Sequence, residues 1–173
     1  MQRRHWMMLA GATAGLAGAA AWWQRPERDS GSAAASAPLW STRLPQVGGG
    51  ELAFSELKGQ ALLVNFWATW CPPCVKEMPL LDRFAREQAG RVTVVGIAVD
   101  RAEAVRAFLA ATPVGFRIGV AGFAGSGLAR ELGNPQGGLP FSVLFDRQGQ
   151  IVDRKLGETL PAELQDWARR VAS

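Results

Sequence analysis

Residues 65–74 read NFWATWCPPC, and both of the chain's cysteines, Cys71 and Cys74, lie within them. The run Ala61-Leu62-Leu63-Val64-Asn65-Phe66-Trp67 that leads in is apolar and of strand length. Beyond it, Met78, Leu81, Phe84 and Ala85 recur at helical spacing between Cys71 and Glu87. The cysteines therefore stand where a strand turns into a helix.

Working outward, the same alternation continues. Val92 to Val99 is a second apolar run, rich in β-branched residues, and Ala102 to Ala111 carries Val105, Phe108 and Leu109 at helical spacing. Continuous apolar runs suit strands covered on both faces. The order β-α-β-α implies parallel strands with right-handed crossovers. Further on, Phe141 to Phe145 reads as a strand, Asp146-Arg147-Gln148-Gly149 as a turn, and Gln150 to Lys155 as a returning strand. So short a link requires antiparallel pairing. A last helix starts near Pro161, with Glu163 in its first turn. Leu164, Trp167, Ala168 and Val171 form its apolar face, and Arg169 and Arg170 suit the negative end of its dipole. A β-α-β half followed by a β-β-α half predicts a mixed central sheet flanked by helices, an α/β domain over residues 39–173.

The cysteine pair admits three readings. As a staple it is poor, because closing so short a loop removes little chain entropy. As a metal site it lacks ligands: zinc needs three or four, the chain has no third cysteine, and its only histidine is His5. No metal and no separate cofactor are expected. As a reagent it is well placed. The N-terminus of a helix offers free N–H groups and a favourable dipole to a thiolate at Cys71. Cys74, one turn inward, can then attack a mixed disulfide formed there. Pro72 and Pro73 occupy positions where a missing N–H costs least. They also leave fewer amide donors for the thiolate, which makes the dithiol less stable and more reducing.

The segment from Asn65 to Pro79, with Trp70-Cys71-Pro72-Pro73-Cys74 at its centre, resembles the active site of the TlpA/ResA-type thioredoxin-like disulfide reductases. Gly137-Gly138-Leu139-Pro140-Phe141-Ser142 resembles the family's second signature, although Ser142 stands where Thr is frequent. The resemblance spans about residues 39–173. It implies a thioredoxin fold, a cis Leu139-Pro140 bond facing the cysteines, and an apolar docking surface. Trp70, Pro72, Pro73, Leu139 and Pro140 would contact substrate there, Leu139 through its backbone. In ordinary thioredoxins a buried Asp precedes the Phe-Trp of this strand, and here Asn65 cannot titrate. The family pattern instead has a Glu three residues after the second cysteine, which is Glu77. Positions i and i+3 share a helix face, so Glu77 can serve Cys74 as a base. Burial beside a thiolate would raise its pKa. The competing reading of Glu77 is a solvent-facing helix carboxylate.

The resemblance implies an extracytoplasmic thiol–disulfide oxidoreductase that reduces disulfides of exported proteins. A thiol peroxidase on the same fold would need a P-x-x-x-T-x-x-C pattern, where this chain has Val64 and Ala68. A non-catalytic binding module would have no need of an intact CxxC.

Residues 1–5 form a short basic start, and residues 6–23, Trp6 to Trp23, run eighteen residues without a charge. This is just long enough for a membrane span. Arg3 and Arg4 favour an N-terminus kept in the cytoplasm, with Trp6, Trp22 and Trp23 as interfacial anchors. Arg3-Arg4 also fits a twin-arginine export signal, with small-residue cleavage sites at Ala19-Ala20-Ala21 and Ala35-Ser36-Ala37. Either way residues 39–173 lie outside the cytoplasm, membrane-anchored facing the periplasm or exported and soluble. The anchor is favoured. Residues 24–38 read as a linker whose stretch Ser30 to Pro38 is a small-residue tether with little to pack. From Leu39 onward fifteen Lys/Arg face thirteen Asp/Glu in an interspersed pattern, which gives no support to nucleic-acid binding. A single monomeric domain is expected, with protein disulfides as substrates and an upstream membrane electron donor.

Overall fold

A computed structural model describes residues 30–171. The basic start, the 6–23 segment read as anchor or signal, and linker residues 24–29 lie outside the described residues. Among the described residues no helix is long and apolar enough to cross a membrane.

The elements run α1 (Ser30–Ser41), β1 (Arg43–Pro45), β2 (Glu51–Ala53), β3 (Ala61–Trp67), α2 (Pro72–Glu87), β4 (Val92–Ala98), α3 (Ala102–Ala111), β5 (Arg117–Val120), α4 (Gly125–Glu131), β6 (Phe141–Phe145), β7 (Ile151–Leu156) and α5 (Pro161–Arg170). Short 3₁₀ turns cover Phe54–Leu57 and Gly122–Ala124. Five strands form the main sheet in the order β5-β4-β3-β6-β7. β3, β4 and β5 are parallel, while β6 and β7 pair antiparallel to their neighbours. This is the mixed sheet and connectivity expected of a thioredoxin-like fold. β1 and β2 form a separate hairpin, attached to β5 by a Gln46–Gly119 bridge.

β3 lies at the centre and all seven of its residues are buried. Its side chains alternate between two cores. Leu63 and Trp67 pack with Cys74, Met78 and Leu81 of α2 and with Leu164 and Trp167 of α5. Leu62, Val64 and Phe66 pack with Leu39 and Trp40 of α1, the β1–β2 hairpin and Ala129 of α4. The unbroken apolar run thus corresponds to a strand buried on both faces.

The tether reading fails over residues 30–38, which are helical in α1. Small Ala and Ser side chains offer little to pack, which is the basis of that reading. Alanine is also the best helix former, and what it lacks is an anchor. Leu39 and Trp40 supply one at the C-terminal end. Leu39 is fully buried, and Trp40 meets Phe145 edge-on at 5.5 Å between ring centroids. The Trp40 indole Nε1 donates to the Gly149 carbonyl at 3.1 Å. Gly149 has φ +77°, and a Cβ there would stand 3.0 Å from the Trp40 ring, so both turn geometry and close approach require glycine. The folded unit thus begins before Leu39. Trp40→Ala removes a buried indole, its hydrogen bond and its aromatic contact. It is expected to lower the unfolding free energy by about 3–5 kcal/mol. Urea denaturation checks this, and a loss below about 1 kcal/mol would mean that α1 merely rests on the domain.

Candidate active site

β3 ends at Trp67, and Ala68, Thr69 and Trp70 carry the chain over to α2. The Cys71 N–H donates to the Ala68 carbonyl at 3.3 Å, closing a tight turn. Cys71 is the N-cap of α2, with extended φ −101° and ψ 101°. Pro72 and Pro73 take the first two helical positions and have no N–H. The first donor of the helix is therefore the Cys74 N–H, which lies 3.4 Å from Cys71 Sγ. The sulfur at Cys71 meets the positive end of the helix dipole and a single amide donor. Cys71 is joined to Cys74 by a disulfide with Cα atoms 5.3 Å apart. Cys71 is 5% exposed and Cys74 fully buried, so the outer sulfur is the one a second molecule can reach.

Trp70, beside Cys71, is 60% exposed, an unusual exposure for a large apolar ring. The Leu139-Pro140 bond is cis. Pro140 is buried, and its carbonyl accepts from the Gly157 N–H at 2.8 Å. Leu139 is half-buried and packs against the core that holds both cysteines. Its N–H and C=O make no hydrogen bond among the described residues, which leaves both open to an extended segment.

Glu77 is 1% exposed, so it is not the solvent-facing helix carboxylate of the competing reading. Asn65 Nδ2 donates to Glu77 Oε1 at 2.7 Å, and the Thr159 N–H and Oγ1 donate to Oε2 at 2.9 and 3.0 Å. Burial pushes the Glu77 pKa up. The hydrogen bonds from Thr159 and Asn65 pull it back in part, Glu158 adds a push upward, and the net shift is upward. Asn65 is thus a donor that holds the glutamate in place.

Two participants are not legible in the sequence. Thr159 precedes α5, 82 positions beyond Glu77, and nothing in a Gly-Glu-Thr-Leu stretch announces a carboxylate clamp. Asp100, just after β4, is 3% exposed and fastens the turn before Cys71. Its Oδ2 accepts from the Thr69 N–H at 3.0 Å and from Thr69 Oγ1 at 2.6 Å, and its Oδ1 accepts from the Arg101 N–H at 2.7 Å. Desolvation pushes Asp100 up, but these bonds and the Arg101 charge outweigh it and hold its pKa below the ordinary value. The only signal for it is a charged residue closing an otherwise apolar strand.

The Redoxin family model matches residues 32–167. The chain belongs to the Redoxin family. Within that family it is of the ResA/TlpA type. It is 30% identical over 125 residues to the thiol-disulfide oxidoreductase ResA of Bacillus thuringiensis, covering 71% of this chain and 70% of that one. Among solved structures, the thioredoxin-related protein from Neisseria meningitidis serogroup B is similar with TM-score 0.66 and 32% identity. That match covers 74% of this chain and 97% of the other. A thiol:disulfide interchange protein of the thioredoxin family from Chlorobium tepidum is similar with TM-score 0.67 and 28% identity, over 77% and 94% of the two chains. With the CxxC pair at a helix N-terminus, these relatives make the chain a thiol–disulfide oxidoreductase.

Proposed function

We propose that this oxidoreductase works as a reductant of disulfides in exported proteins, outside the cytoplasm, through Cys71 and Cys74. The observation that carries the reading is the pairing of a reachable Cys71 with a buried Cys74 one turn below, beside the buried Glu77. Cys71 thiolate attacks a substrate disulfide, and one substrate sulfur leaves. Glu77 takes the Cys74 proton, and Cys74 attacks Cys71 Sγ and expels the second substrate sulfur. The direction is supported by Pro72 and Pro73, which leave the Cys71 thiolate with one amide donor. Trp70, Pro72, Pro73, Leu139 and Pro140 form the docking surface. The free backbone groups of Leu139 pair with an extended segment of the substrate, so selectivity among sequences is loose. Residues 6–23 hold the protein at the membrane, and electrons return to the disulfide from a membrane donor.

Redox titration against glutathione tests the direction. The pair is expected to remain oxidised until the buffer is strongly reducing, and the reduced protein is expected to cleave insulin disulfides. A pair that stays reduced in mildly oxidising glutathione would make the protein an oxidant instead.

A further inference from the structure

The loop from α4 to β6 delivers the cis Leu139-Pro140 bond, and one buried side chain organises it. Asn134 is 2% exposed. Its N–H donates to the Ala129 carbonyl at 3.0 Å, which ties it to the end of α4. Its carbonyl accepts from the Gly137 N–H at 3.0 Å, and its side-chain Nδ2 donates to the Gly138 carbonyl at 2.8 Å. Turned over, the amide would set Oδ1 against that carbonyl, acceptor against acceptor, so Nδ2 is the atom in contact.

The Gly138 carbonyl and the Leu139 N–H belong to one peptide unit. Among the described residues only the Leu139-Pro140 bond is cis, so this unit is trans and its C=O and N–H point to opposite sides. With the carbonyl held by the buried Asn134, the Leu139 N–H is turned away from Asn134, and it has no partner among the described residues. Among those residues the Nδ2 bond is also the one hydrogen bond that holds the Gly138 carbonyl. Gly137 has φ +66°, and neither it nor Gly138 carries a Cβ, so sterics alone do little to stop this peptide from turning over. Asn134 is what fixes its direction.

We propose that Asn134 is a positioning residue for disulfide exchange: by holding the Gly138 carbonyl it aims the Leu139 N–H at the main chain of an extended substrate segment. This rests on the proposed pairing of Leu139 with substrate. A donor already turned outward before substrate arrives needs no reordering on binding, so the bond it makes is kept as affinity. The gain goes to substrates that present main chain, which are proteins and peptides in extended form. A small disulfide has no main chain to offer and gains nothing. Asn134 thus sets selectivity for polypeptide disulfides over low-molecular-weight ones, without touching a sulfur.

Amide hydrogen exchange in a trapped adduct tests it without turnover. The Cys74→Ser protein is reacted with a short cysteine peptide carried as its thionitrobenzoate disulfide. The Cys71 thiolate attacks the peptide sulfur, the bond between Cys71 and peptide forms, and thionitrobenzoate leaves as the thiolate. The Leu139 N–H is expected to exchange freely in the free protein and at least roughly tenfold more slowly in the adduct. With Asn134→Leu added, which keeps the size and removes the donor, that slowing is expected to be lost. Asn134→Ala gives the same reading should Asn134→Leu fail to fold. A Leu139 N–H already protected in the free protein overturns the proposal. So does equal slowing with and without Asn134, which would leave the Leu139 pairing standing and another group aiming it. An adduct with no slowing removes the pairing and the proposal together. In the otherwise intact chain, Asn134→Leu is expected to lower the ratio of kcat/KM for insulin to kcat/KM for hydroxyethyl disulfide roughly two- to tenfold, through the KM for insulin. Both values falling together, with the ratio unmoved, would show a merely structural role and overturn the proposal. Insulin left uncleaved by the wild type would overturn the reductase reading, while the adduct would still judge Asn134.

Discussion

Cys71→Ser is expected to abolish disulfide reduction, leaving only the rate that the added reductant gives by itself, whereas Cys74→Ser is expected to stop the reaction halfway. The asymmetry follows from where the two sulfurs sit. Cys71 caps α2, keeps 5% of its surface exposed, and receives the Cys74 N–H at 3.4 Å. Cys74 is fully buried and cannot meet a protein disulfide until Cys71 has brought one to it. With Cys74 replaced, the first attack still occurs and the mixed disulfide has no way to resolve. A covalent one-to-one adduct should accumulate on a non-reducing gel and vanish with dithiothreitol. Limited alkylation of the reduced wild type should modify Cys71 first. Adducts from Cys71→Ser and none from Cys74→Ser would exchange the two roles.

The sequence shows best what depends on local pattern. β3, α2 and α3 are readable from uninterrupted apolar runs and helical spacing, because their burial is a property of consecutive residues. The N-cap role of Cys71 follows from a Cys-Pro-Pro-Cys set after a strand. What cannot be read is pairing between distant segments. β5 is four residues, Arg-Ile-Gly-Val, and becomes a strand only because Gly96 and Ile97 of β4 pair with Ile118 and Gly119. α1 looks like a tether in the sequence, since its anchor is Trp40 reaching Gly149, 109 positions away. Within the site, Glu77 is singled out by its spacing from Cys74. The groups that hold it, Asn65 and Thr159, sit 12 and 82 positions away and are joined only by folding. In the sequence Asn65 reads only as a residue that cannot titrate, and its structural part is to donate to Glu77. Local chemistry is carried by spacing, whereas the second layer of partners is carried by topology.

Glu77→Gln is expected to slow reduction of protein disulfides near neutral pH by on the order of 10²-fold, and by at least roughly tenfold if solvent substitutes in part. The fold should survive. A glutamine Oε1 can still accept from the Thr159 N–H and Oγ1, and its Nε2 can donate to the Asn65 oxygen if that amide turns over. The proton acceptor for Cys74 is then gone, and neither Asn65 nor Thr159 can replace it. Deprotonation falls to solvent, so the rate of the variant should climb as pH approaches the pKa of the Cys74 thiol and close on the wild-type rate there. Stability gives a second reading of the same residue. Burial raises the folded pKa of Glu77 above its unfolded value, so between the two the folded state holds more protons. The slope of unfolding free energy with pH is therefore negative in that window. The contribution of Glu77 is fully present below its unfolded pKa and is lost as pH rises through the raised folded one. The substituted glutamine does not titrate, so the stability of wild type relative to the variant should decline across that range in urea titrations. Identical kinetics at every pH would return Glu77 to a structural role. A stability difference that grows with pH would mean that its hydrogen bonds outweigh burial and that it is ionised too readily to hold the proton it is asked to take.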